Sequence, residues 1–177
     1  MLRKPPPAPP RPCALHWRTE ADTAACAARL AAALTDGLAA PPGQGSAFIT
    51  LQGELGAGKT TFVRYLLRAL GVSGRVKSPT YAVVEPHQTP GGLAVSHFDF
   101  YRFNDPREWE DAGLRDLFAA PGLKLAEWPE QAAGLLPAPD LALRIQTQTD
   151  AARAVTLTAF SALGQRLLAG VTAEVAA

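Results

Sequence analysis

Residues 53–61 read GELGAGKTT, and few nine-residue stretches restrict a fold as tightly. Gly53, four further residues and then Gly58-Lys59-Thr60 complete the pattern G-x-x-x-x-G-K-[ST], with an additional glycine at Gly56. Glycines let the backbone wrap closely enough for its N–H groups to face phosphate oxygens. The N-terminus of the helix that follows adds a favourable dipole. The expected nucleotide contacts are Gly53, Gly56, Ala57, Gly58, Lys59, Thr60 and Thr61. Lys59 is placed to reach the β- and γ-phosphates and Thr60 to put its hydroxyl on Mg²⁺.

The flanks suit the loop. "AFITLQ" (47–52) is a short apolar run that reads as a buried strand. After the loop, Phe62, Val63, Leu66, Leu67 and Leu70 form a helical stripe opposite Arg64 and Arg68, ending at Gly71. The chain carries thirteen arginines and only four lysines, yet the loop position is lysine.

Before the loop, "CALHW" (13–17) is a candidate strand, and Thr19 with Asp22 resembles a capping box. Ala27, Leu30, Ala31, Leu34 and Leu38 then make one apolar stripe at helical spacing, ending near Gly37, and 40–46 is turn material. Beyond the loop, strands are expected at 81–85, 93–98 and 122–127, with "PHQTPGG" as the hairpin turn between the first two. Residues 105–120 read as a helix broken at Gly113. Two further strands, 140–148 and 153–160, turn around Asp150 and precede an Ala/Leu-rich terminal helix. Strands mixed with helices, some joined by hairpins, imply a three-layer α/β fold with a mixed central sheet.

At 177 residues and 47% hydrophobic, the chain has material for one real core. Six prolines in the first twelve residues favour an extended arm, so 1–12 is expected to be a disordered tail and 13–177 a single phosphate-loop domain. A net charge of +1 argues against broad, sequence-independent nucleic-acid binding, leaving any RNA contact local or made through a partner. Cys13 and Cys26 stand apart from any metal-ligand or disulfide pattern. No stretch approaches the roughly 20 apolar residues of a membrane span, and a cytoplasmic protein with no membrane partner is expected.

A phosphate loop shows what is bound, whereas carboxylates indicate what is done with it. An acid is needed near the metal, usually at the C-terminal end of a neighbouring strand. Asp99 ends "LAVSHFD" and Glu127 ends "GLKLAE". His97 shares a strand face with Asp99 and reads as a packing or hydrogen-bonding group. "KSPTY" (77–81) offers the hydroxyls of Ser78 and Thr80 beside a stiffening proline. Guanine recognition through N-K-x-D is excluded, because the one asparagine, Asn104, is followed by aspartate. A strand and helix ahead of the loop lower the case for a small-metabolite kinase.

The loop 53–61, "SPTY" at 78–81, "HFDFYR" at 97–102 and "EWPE" at 127–130, in that order, closely resemble the TsaE family, the bacterial ATPase subunit of tRNA threonylcarbamoyladenosine synthesis. The resemblance runs from about Thr19 to the last strands. It implies an ATPase acting with the carbamoyl-transferring and scaffold subunits that modify the adenosine following the anticodon, with tRNA contacted mainly through those partners. It places Thr80 near the γ-phosphate and Thr23 near the base. It favours Glu127 as Mg²⁺ ligand alongside Thr60, with Asp99 in the outer shell or orienting water, while spacing alone leaves both acids open. Phe100 replaces the leucine of the family's usual H-x-D-L-Y-R, an apolar exchange. The catalytic set expected is Lys59, Thr80, Asp99 and Glu127, with ATP as substrate and Mg²⁺ as cofactor. No arginine is marked by motif as a finger, so slow turnover is expected without partners. The alternatives are a nucleotide-dependent binding or regulatory module and a small-metabolite kinase.

Overall fold

The structure is a computed structural model that describes residues 10, 12–38 and 45–173. The tail expected at 1–12 and the turn expected at 40–46 lie mostly outside the described residues.

In chain order the elements are β1 (Cys13–Trp17), α1 (Glu20–Gly37), β2 (Ser46–Gln52), α2 (Lys59–Ala69), β3 (Val84–Gln88) and β4 (Ala94–Asp99). They continue with α3 (Arg107–Asp111), α4 (Leu114–Ala119), β5 (Gly122–Glu127), a 3₁₀ turn (Pro129–Ala132), β6 (Leu141–Thr147), β7 (Arg153–Ala159) and α5 (Ala162–Thr172). The strands form one seven-stranded sheet in the order β1-β7-β6-β2-β5-β4-β3. The central strands β4, β5, β2 and β6 run parallel, whereas β7 on β6, β1 on β7 and β3 on β4 are antiparallel. The parallel strands therefore deliver the ends of β2, β4 and β5 to one edge. In the register Leu51 and Asp99 both stand opposite Glu127.

Strand alternation separates two cores. From β2, Ala47, Ile49 and Leu51 face one side with Leu123 and Leu125 of β5, under α1, α2 and α5. Phe48, Phe98 and Ala126 face the other, where Phe100, Phe103, Trp109 and Leu114 cover them. That second layer is thin, made of short helices and aromatic stacking: Phe98 lies 4.6 Å from Phe118, and Trp109 5.4 Å from the same ring. Burying each such ring contributes about 2 kcal/mol or more. The three-layer mixed fold expected from sequence is what forms.

Local signals act where the sequence puts them. Asp22 accepts from the backbone N–H groups of Arg18 and Thr19, at 2.8 and 3.1 Å, and so closes the first turn of α1. Those backbone donors, Arg18 first, hold the Asp22 carboxyl below its ordinary range. Gly113, at φ +64°, separates α3 from α4. One boundary moves. The strand expected at 81–85 is β3 at Val84–Gln88, so Pro86 and His87 lie in the strand and the turn shrinks to 89–92. Proline fits there because β3 is an edge strand, where a missing N–H removes no ladder bond. Val83, with φ +66°, keeps the preceding segment out of the sheet.

Candidate functional site

The loop leaves β2 at Gly53, whose φ is +154°; a Cβ there would stand 2.4 Å from the Ile145 carbonyl oxygen of β6. Only glycine allows the loop to lie this close to the sheet. Gly58, at φ +107°, turns the chain into α2, so the first helical amides face outward over the loop. Lys59 is the first residue of that helix and is buried. Its Nζ donates to the carbonyls of Gly53 at 2.6 Å and Glu54 at 2.9 Å, and lies 4.2 Å from the centre of the Trp128 ring. Burial pushes the Lys59 ammonium below its ordinary pKa, against the opposing pull of Glu127, Glu130, Asp99 and Glu54.

Thr60 follows, and its hydroxyl meets both oxygens of Glu127, at 2.9 and 3.0 Å. Glu127 ends β5, nearly fully buried, and also bonds His97 Nε2 at 2.8 Å. Asp99 ends the adjacent strand and is satisfied differently. Its Oδ2 accepts from Ser78 and, at 3.2 Å, from Thr80, while its Oδ1 accepts from the Tyr101 N–H at 2.9 Å. The Asp99 N–H in turn donates to the Val83 carbonyl at 2.9 Å, tying the segment 78–83 to β4.

These groups surround a cleft of about 240 Å³ lined by Leu55, Gly56, Gly58, Lys59, Thr60, Thr61, Ser78, Thr80, Asp99, Tyr101, Glu127 and Trp128. On the other flank of the loop a second hollow, of about 300 Å³, is lined by Trp17, Thr19, Thr23, Gly56, Ala57, Gly58, Thr61 and Arg153. The two share Gly56, Gly58 and Thr61, so they are continuous around the loop. Thr23 and Ala57 fall on the second flank only, Lys59, Thr60, Thr80, Asp99 and Glu127 on the first, and Gly56, Gly58 and Thr61 on both, whereas Gly53, also expected to contact nucleotide, lines neither and serves as the close turn out of β2. A groove of about 640 Å³ over Phe48, Ala142, Thr156 and Phe160 is larger, but among the described residues Glu130 is the one carboxylate residue on its lining and no glycine loop borders it. Volume does not mark the site.

The oxygen donors suit a hard divalent cation. Mg²⁺ is held by one or two carboxylates, with substrate phosphates and waters completing the shell. A hydroxyl facing a carboxylate beside a glycine loop is that donor set. Among the described residues no group of three or more His, Cys, Asp and Glu could hold a metal ion by itself.

Two neighbours were given no role at the loop by the sequence. Trp128 sits over Lys59 with a left-handed backbone, φ +55°, and its adjacency to Glu127 was the available signal. Arg153 donates from Nε to the Ala57 carbonyl at 2.8 Å, a contact across 96 residues that no local pattern announces.

Comparison with known proteins agrees with this geometry. The sequence model of the family described as "Threonylcarbamoyl adenosine biosynthesis protein TsaE" matches residues 17–155. A Haemophilus influenzae protein named tRNA threonylcarbamoyladenosine biosynthesis protein TsaE is 42% identical over 120 residues, 68% of this chain and 75% of its own. Its Bacillus subtilis namesake is 37% identical over 153 residues, 86% and 88% of the two chains. The crystal structure of Bacillus subtilis YdiB superposes with a TM-score of 0.71 at 26% identity, covering 93% of this chain and 96% of that one. With the matched region spanning both strand-end acids and the glycine loop between them and β1, the chain belongs to the TsaE family.

Proposed function

We propose that the chain, as one domain over 13–177, binds ATP with Mg²⁺ in the cytoplasm and hydrolyses it in support of tRNA threonylcarbamoyladenosine synthesis. The observation that carries the reading is Thr60 facing both oxygens of a buried Glu127 at the mouth of a complete phosphate loop. The family relatives bear the biosynthetic name, which supports the pathway.

Phosphoryl transfer to water needs positioning and charge neutralisation more than covalent chemistry. The loop amides and Lys59 hold the phosphates, and Lys59 exchanges its carbonyl partners for phosphate oxygens. Thr60 and Glu127 would hold Mg²⁺, which when bound neutralises charge on the β- and γ-oxygens. Asp99 holds Ser78 and Thr80 toward the γ-phosphate side and orients water there. Thr23 borders the flank that receives the base. No arginine lines the phosphate cleft among the described residues, so the isolated chain turns over slowly and the carbamoyl-transferring and scaffold subunits accelerate it. A finger supplied in trans is worth about 10³ to 10⁵ in rate.

Steady-state phosphate release, with and without those subunits, tests the reading. Fast turnover by the isolated chain, or no ATP binding in magnesium buffer, would overturn it. A second reading, an ATP-set docking module, draws on Leu55 and Tyr81, which are 74% and 86% exposed and sit beside the cleft. Glu127→Gln separates the two, since a module keeps partner function without hydrolysis.

A further inference from the structure

Arg153 opens β7, with Trp17 of β1 as its cross-strand partner, and borders the hollow on the base-side flank of the loop. Its guanidinium makes no ion pair among the described residues. Its donors go to carbonyls instead. Nε bonds Ala57 at 2.8 Å, and Nη1 bonds the carbonyls of Thr149, Asp150 and Ala152 at 3.0, 3.3 and 3.0 Å. One planar group therefore joins the β6–β7 turn to the phosphate loop.

The bond to Ala57 constrains more than one atom. In a trans peptide the carbonyl and the following N–H point in opposite directions. A guanidinium holding the Ala57 carbonyl on one side aims the Gly58 N–H to the other. That N–H makes no hydrogen bond among the described residues, and Gly58 lines the phosphate cleft. On the far side of this peptide is Gly58, at φ +107°, a glycine that tolerates more than one setting of the peptide plane. We propose that Arg153 is a positioning residue for phosphate binding: its fork locks the Ala57–Gly58 peptide so that the Gly58 amide faces the phosphates, and it fastens the base-side turn to the loop.

This rests on the nucleotide reading above, and its test keeps the two separable. Calorimetry in magnesium buffer compares ATP with inorganic tripolyphosphate, which occupies the loop and has no base or ribose, on the wild-type chain and Arg153→Gln. Measurements are made at a temperature where circular dichroism shows both folded. Losing a charge-assisted hydrogen bond that orients a binding amide weakens both ligands, each by about tenfold. The ¹⁵N–¹H signal of Gly58 is also expected to shift or broaden in the variant. If ATP weakens while tripolyphosphate binds as in the wild type, Arg153 touches the nucleoside directly and the positioning role is overturned. Unchanged affinity for both ligands overturns it equally. A wild-type chain that binds neither ligand removes the nucleotide reading and this one with it. Should the glutamine variant not fold, Arg153→Lys, which keeps the charge without the planar fork, is expected to weaken both ligands in parallel, and wild-type affinities in that variant refute the proposal.

Discussion

His97 Nε2 lies 2.8 Å from Glu127 Oε1, and both side chains are nearly cut off from solvent. The imidazole and the carboxylate share this hydrogen bond, while His97 Nδ1 has no partner among the described residues. The histidine sets the orientation in which Glu127 meets Thr60.

Replacing that hydrogen-bond partner should therefore impair chemistry more than nucleotide binding. His97→Phe keeps the ring volume and removes the hydrogen bond. Loss of such an orienting partner typically costs 10- to 100-fold in metal affinity or activity. Phosphate release in the presence of partners is expected to fall by about that factor, while ATP affinity in chelator stays within about twofold.

Lys59 is buried with its ammonium shared between two loop carbonyls and the Trp128 face. Lys59→Ala removes the only ammonium that reaches the cleft among the described residues. Calorimetry should show ATP affinity lowered by at least about 100-fold, since hydrogen bonds to charged groups contribute roughly 1.5–3 kcal/mol each. Hydrolysis should be undetectable. Retained turnover would defeat the role given to Lys59.

The terminal helix is held by a close backbone approach. A Cβ on Gly164 would stand 1.8 Å from the Asp140 carbonyl oxygen, although the helix there would welcome alanine. Nothing flexible can give way. Asp140 is itself fixed, accepting from the Phe48 N–H at 2.8 Å and, at 2.5 Å, from the Ser161 hydroxyl that caps α5. Gly164→Ala should destabilise by about 3 kcal/mol or more, read as a lower midpoint in urea.

Burial pushes the Cys26 thiol up to about 11 from 9.0. Above the unfolded value the unfolded chain releases this proton while the folded one keeps it, so the contribution is complete below about pH 9 and is lost as pH rises toward 11. Lys59 and Lys124, both lowered by burial, act with the opposite sign. Comparing urea midpoints of wild type and Cys26→Ala from pH 8 to 11 isolates the thiol. The wild-type midpoint should fall relative to the variant across that window; parallel curves would refute the assignment.

Much of this was legible because the chemistry is written locally. The glycine spacing, the helix stripe behind it and acids at strand ends each need only a short window, and the structure places Lys59, Thr60, Thr80, Asp99 and Glu127 along one cleft. What stayed hidden depends on tertiary approach. Arg153 reaches Ala57 across the sheet, and Trp128 swings over Lys59 through a left-handed backbone. The start of β3 was misplaced by three residues, because turn-like Pro86 and His87 are acceptable on an edge strand and only the paired register with β4 reveals it.

Asp99 and Glu127 occupy the same rung of two parallel strands. Side chains alternate at every residue, so inserting or deleting one position within either strand would swing its acid through the sheet into the aromatic layer. Length variation can accumulate in hairpin turns such as 89–92 without harm, but these two strands admit none. A designer grafting this centre onto another scaffold must copy the rung before copying the residues.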